Sequence, residues 1–141
     1  MPSPPTRHPL GSLNQVLSEV IDLVQDVKQA HRKIPGADVL HPELDKLFDD
    51  LRAWASLLMD QDAAHGLSPL AAVTTVAGRP LANLWPGTPT DDEVRVTLVE
   101  HLSRLRQNAA EASGALGDDP AGSVLADITA GIDDHVRLLR A

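Results

Sequence analysis

Residues 31–69 read HRKIPGADVLHPELDKLFDDLRAWASLLMDQDAAHGLSP, one sharp turn followed by one long amphipathic segment. The Pro35-Gly36 pair ends whatever helix precedes it. Pro42 suits the first turn of the next helix, where a missing N–H costs nothing. From there Leu44, Leu47, Phe48, Leu51, Trp54, Leu58 and Ala63 recur at spacings of three and four and mark one apolar face. Gly66 supplies the stop. Asp45 and Asp49 lie one turn apart on a shared face, and Asp60 follows about three turns later.

Upstream, Leu13, Val16, Leu17, Val20, Ile21, Val24 and Val27 form a second stripe that runs from near Ser12 to His31. That helix has about 20 residues and is about 30 Å long. The linker from Lys33 to His41 is short, so the two helices are expected to be antiparallel. Residues 1–11 precede them, and four prolines within MPSPPTRHPL mark a short extended, flexible tail.

Downstream, residues 67–90 make a connection too long for a simple up-and-down bundle. Ser68-Pro69 is placed to cap a short extra helix over Leu70–Ala77. The run RPLANLWPGTP is then broken by proline and glycine. Thr90 caps a third long helix, with Asp91, Asp92 and Glu93 set against its dipole. Val94, Leu98, Val99, Leu102, Leu105, Ala109, Ala112 and Leu116 carry its stripe. A tight loop at Gly117-Asp118 leads to Asp119-Pro120, which opens the fourth helix, and Val124, Leu125, Ile128, Ile132, His135, Val136 and Leu139 face inward. Four helices joined by short, long and short connections predict an all-α, ferritin-like four-helix bundle over residues 12–141, with its crossover between the second and third helices.

Composition agrees with that class. The chain has 141 residues, 43% of them hydrophobic but only 2% aromatic, so its core is built of Leu, Val, Ile and Ala. The net charge of -8 disfavours a broad nucleic-acid-binding face and suits a surface that draws cations. Without cysteine there is neither a disulfide framework nor a thiolate metal site. No apolar run is long enough to cross a membrane and no apolar leader begins the chain, so a cytoplasmic protein is expected. Nucleophile triads and phosphate-binding glycine loops are also missing, as is the E-x-x-H pair of a di-iron centre within one bundle.

Four segments, in order, resemble the Dps family of miniferritins, the small ferritins that protect DNA during starvation. They are LNQVLSEVIDLVQDVKQAH, ELDKLFDDL, MDQDAAHGLSPL and GDDPAGSVLADITAGIDDHVRLLRA. The resemblance covers nearly everything from Leu13 to Ala141. It implies a hollow dodecamer whose iron sites lie between two-fold-related subunits, where iron(II) is oxidised, commonly by peroxide, before storage as mineral. It also implies a ligand set of two His and one Asp from one chain and an Asp and a Glu from the other.

Carried over singly, the first His falls on His31 and the second on Asp45, a departure. The following Asp falls on Asp49 and the partner-chain Asp on Asp60; both match. The Glu falls on Ala64, which has no donor atom, the next Arg on His65, and a Trp beside the first His on Arg32. The turn before ELDKLF is two residues longer than the family pattern, which makes His41 as well as Asp45 a stand-in for the lost imidazole. Asp62 and His65, three residues apart, are accessory candidates as a separate pair.

Two readings follow. In the first, this is a stress-response miniferritin that binds and stores iron (Fe2+/Fe3+) with a degenerate ferroxidase centre and slow or altered oxidation. In the second, it is a non-catalytic structural or assembly protein, nucleoid-associated or mixed with an active relative, whose acids are solvated or paired with Arg32 or Arg52. The tail has no Lys, so direct DNA binding is expected to be weak or absent. His135 reads as a packed core histidine, His41 and His101 as surface residues, and Trp85 as a packing residue suited to a subunit contact.

Overall fold

The computed structural model describes residues 9–36, 38–69 and 83–141. These contain four helices: α1 (Pro9–Lys33), α2 (Leu40–Ala64), α3 (Asp91–Leu116) and α4 (Pro120–Arg140). No strand occurs among the described residues. The expected short helix at 70–77 and most of the expected tail lie outside them. Helix α1 starts at Pro9 rather than near Ser12, because a proline at a helix start gives up no bonded N–H. Helix α2 starts at Leu40, with Pro42 still inside its first turn.

The ends follow local chemistry. Asp38 accepts from the Leu40 N–H at 2.8 Å and opens α2. Gly66, at φ 72°, closes it, with the Leu67 N–H reaching back to the Asp62 carbonyl at 2.8 Å. Thr90 Oγ1 accepts from the Glu93 N–H at 3.1 Å, and Asp119 Oδ1 from the Ala121 N–H at 2.9 Å, as the sequence predicts.

Helix α1 packs on α2 and α3, and α4 on α3 and, less extensively, on α2. The pairs run antiparallel. Between α1 and α3, Asp26 meets His101 and Glu19 meets Asn108. Between α2 and α4, Asp50 meets His135 and His65 meets Asp119. At the other end, Arg95 of α3 bonds Glu43 at 2.9 Å and the Leu139 carbonyl at 3.1 Å, joining the start of α2 to the end of α4. The end of α2 and the start of α3 therefore lie at opposite ends of the bundle, as the expected crossover requires. Its last part is tied to α1, where Lys33 Nζ donates to Asn83 Oδ1 at 2.7 Å and to the Trp85 carbonyl, and Gln29 accepts from the Leu84 N–H at 2.9 Å.

The core is leucine-rich, with Leu13, Leu17, Leu40, Leu44, Leu47, Leu51, Leu58, Leu98, Leu102 and Leu125 all fully buried. Trp85 is buried in this core, as its reading as a packing residue expects. Two expectations change. Ala63 is exposed, while its neighbour Asp62 is fully buried in its place. His101 is half-buried and pairs with Asp26 across α1 and α3 at 2.8 Å, because its helical turn faces α1. His135 is buried as expected, with Nε2 2.6 Å from Asp50 and its ring edge-on to Trp54 at 5.9 Å.

Gly131 makes that last contact fit. A Cβ there would lie 2.5 Å from Trp54 Cζ2. We expect Gly131→Ala to destabilise the protein by about 1–3 kcal/mol through overpacking, against the roughly 1 kcal/mol helix gain that Ala normally brings. Chemical denaturation measures the loss, and the Trp54→Leu background should remove most of it.

Asp62 has no hydrogen-bond partner on either carboxylate oxygen. Burial pushes its carboxyl above the ordinary range, opposed by the charge of His65. The folded state thus holds a proton that the unfolded chain releases above pH 3.8, and stability falls as pH rises from there toward the raised value. Asp62→Leu is expected to raise stability by about 1–3 kcal/mol. The gain in thermal midpoint should be larger at pH 7 than at pH 4.

Candidate metal site

The sequence-predicted ligands lie along α2 and at the end of α1. His31 occupies the last turn of α1, and the short 34–39 turn folds back so that the first turns of α2 face it. His31 Nε2 is 3.0 Å from Asp45 Oδ1 and also 3.0 Å from His41 Nδ1. The two imidazole rings meet edge-to-face with centroids 4.2 Å apart. His41 Nε2 lies 3.2 Å from the Ile34 carbonyl, which can only accept, so that nitrogen carries the proton. In that tautomer the Nδ1 lone pair of His41 faces His31 Nε2, which lies within hydrogen-bond distance of both His41 and Asp45.

His41, which the sequence offers both as a surface residue and as a stand-in for the lost imidazole, is the direct partner of His31. The available signal was its one-turn spacing from Asp45, H-x-x-x-D, just past the break that brings α1 and α2 together. The pairing also answers one alternative for the acids: Asp45 turns to His31, not to Arg32 or Arg52, and Arg52 instead sits over the Phe48 ring at 5.6 Å.

Beside these groups α1 and α2 leave a mostly apolar, half-open groove of about 270 Å³, lined by Val27, Lys28, His31 and Arg32 from α1 and Leu44, Asp45 and Phe48 from α2. His31 and Asp45 side chains are 43% and 66% exposed, so a cation reaches them freely in a single protomer. Asp49 is exposed one turn further along α2. Asp60 is exposed as well, but at 1.5 Å per residue it lies about 16 Å from Asp49 along the helix axis. One protomer cannot bring Asp60 to the ion that His31 would hold. Among the described residues, no three or more His, Cys, Asp or Glu side chains of a single chain are grouped to enclose a metal ion.

The accessory pair is not joined. His65 places Nδ1 2.8 Å from the Gln61 carbonyl and Nε2 2.8 Å from Asp119 Oδ2, so both ring nitrogens are spoken for. The Asp119 bond, with the Gln61 carbonyl, raises the His65 pKa, and the same contact holds Asp119 below the ordinary carboxylate range. This pair fastens the end of α2 to the start of α4. Asp62 is sealed in the core, away from solvent. Ala64 is exposed one turn beyond Asp60, and His65, engaged with Asp119, is not free to supply a donor there.

No protein-family model matches the sequence, and no curated protein matches it. Solved structures do match. A Dps mutant from Listeria innocua superposes with a TM-score of 0.83 at 18% identity, over 98% of this chain and 94% of that one. Dps from Microbacterium arborescens, solved in a high-iron form, gives 0.78 at 21% identity over 95% and 93%. Dps92 from Deinococcus radiodurans gives 0.74 at 21% identity over 94% and 86%. Over nearly its whole length, the chain has the ferritin-like fold of the Dps structures.

Proposed function

We propose that the protein is a miniferritin that binds and stores iron between subunits, with an altered oxidation centre. The observation that carries this reading is the meeting of His31 and Asp45 at 3.0 Å, solvent-accessible, beside the α1–α2 groove. Mixed imidazole and carboxylate donors suit iron(II), here a cargo rather than a resident cofactor. His31, Asp45 and Asp49 would bind it from one subunit and Asp60 from a two-fold-related partner. The roughly 16 Å between Asp49 and Asp60 supports that division. An isologous interface would give two equivalent sites per dimer, and the Dps fold supports a closed shell, with a dodecamer as the expected assembly.

Oxidation is the altered property. On the partner's side only Asp60 remains, since Ala64 has no donor and His65 is committed to Asp119. Fewer anionic donors stabilise the oxidised ion less, so turnover should be slow. Direct DNA binding at physiological salt should be weak, given the net charge of -8.

Anaerobic iron(II) titration followed by peroxide tests the reading. Saturable binding is expected, lowered at least tenfold in His31→Ala and in Asp60→Ala, in line with the 10–100-fold losses seen when even outer ligand partners are removed. Binding no stronger than in the doubly substituted protein would leave the non-catalytic assembly role. Ala64→Glu should raise the oxidation rate at least tenfold, read by absorbance after mixing with peroxide.

A further inference from the structure

We propose that Arg32 is an interface cation: in the iron-free assembly its guanidinium pairs with the partner subunit's Asp60, so that two copies of this chain are joined by an internal charge. This rests on the inter-subunit reading above. It goes beyond that reading by naming what holds the partner's carboxylate when no iron is bound.

Three observations carry it. First, both side chains are exposed, and among the described residues neither is joined to an opposite charge in its own chain. Groups near them are already engaged: Asp45 turns to His31, Arg52 lies over the Phe48 ring, and Lys33 holds the end of the crossover. Secondly, the two cannot meet within one protomer. Arg32 stands beside His31, which faces Asp45, and Asp60 lies about 22 Å further down the α2 axis. Thirdly, each sits on a surface that a second copy can cover. Arg32 lines the α1–α2 groove with Val27, Leu44 and Phe48. Asp60 shares its face of α2 with Leu57, a large apolar side chain left 45% exposed, and with Ala53 and Ala64. A copy packed on that face takes Asp60 out of water, and a carboxylate so placed requires a positive partner.

The chemistry of the two groups matches. Ala64 supplies no second donor beside Asp60, so a single carboxylate is left for a single guanidinium. The planar fork of arginine takes both oxygens of a carboxylate at once and carries its charge permanently. A two-fold axis that brings Arg32 to the partner subunit's Asp60 also makes the reciprocal contact, so each dimer holds two such pairs. Iron(II) must displace the guanidinium to take Asp60. Arg32 thus stabilises the assembly and lowers its affinity for iron.

The test uses the full-length protein with iron removed by chelation, and sedimentation velocity over a range of concentrations reads association. Arg32→Asp and Asp60→Arg are made singly and together, and circular dichroism checks that each variant folds. Each single reversal sets like charges against each other and is expected to weaken association at least tenfold. The double reversal restores opposite charges and is expected to return association to within about threefold of the wild type. Lys28→Asp combined with Asp60→Arg, one turn away on α1, is expected not to restore it. In a separate anaerobic titration, Arg32→Gln is expected to bind iron(II) roughly threefold more tightly, because a nearby positive charge is gone. Single reversals without effect, a double reversal that stays weak, equal restoration through Lys28, or unchanged iron(II) affinity in Arg32→Gln would overturn the proposal. If iron(II) binding still depends on His31 in that case, the metal reading stands without the pair. Rescue by the double reversal in a protein that takes up no iron(II) would leave the pair standing without the metal reading. A wild type that stays monomeric overturns the pair and the inter-subunit reading together.

Discussion

The rotation of α2 about its own axis decides what this protein presents to solvent. Leu40, Leu44, Leu47, Leu51 and Leu58 all lie on one side of it and are fully buried. Each such side chain gains about 1.5–3 kcal/mol from burial. A slip of one residue would turn the helix by about 100° and drive leucines into water. Held in that setting, α2 turns Asp45, Asp49 and Asp60 outward together and sets His41 against His31. The candidate site is thus a by-product of core packing, and its acids need no buried partners of their own.

The ends of the bundle keep that rotation in register. Arg95 clamps the start of α2 to the last carbonyls of α4, and His65 with Asp119 fastens the opposite end. The His65–Asp119 contact is fully formed between the ordinary carboxylate and imidazole ranges. The Asp119 share is lost as pH falls through its lowered value, and the His65 share as pH rises through its raised one. Between these ends, Gly131 admits the Trp54 ring and lets α2 and α4 approach beside the His135–Asp50 pair. A residue that looks like a ligand from sequence, His65, is spent on architecture.

The fold was largely legible because its signals are local and repeated. Apolar periodicity named most core positions, though not Leu23, Ala30, Ile34, Leu40, Ala55 or Ala121, and Thr90, Asp119-Pro120 and Gly66 marked helix ends through chemistry that needs no tertiary context. What periodicity could not decide was the choice between neighbours at a stripe's edge. Ala63 and Asp62 differ by one step around the helix, and hydrophobicity pointed to the wrong one. The pairings of His101 with Asp26 and of His41 with His31 were not legible for a related reason: the partners lie on different helices, and sequence gives no distance across a bundle. The candidate ligands on α2 were readable as a face, while the pairing that gives His31 its geometry emerged only with the turn at 34–39.

Taken together, these features give a ferritin-like bundle in which His31 and Asp45 meet where α1 turns into α2, while Asp60 lies further along α2, beyond their reach; on the proposed reading these are the two halves of a metal site. The central claim is that the two halves meet across a subunit interface. The most direct measurement is a crystal structure of the iron-soaked protein with anomalous data collected at the iron edge. The account predicts one peak per subunit, bonded to His31 of one chain and facing Asp60 of its two-fold partner. An ordered shell without an iron peak beside His31, or with iron bound only elsewhere, would contradict it.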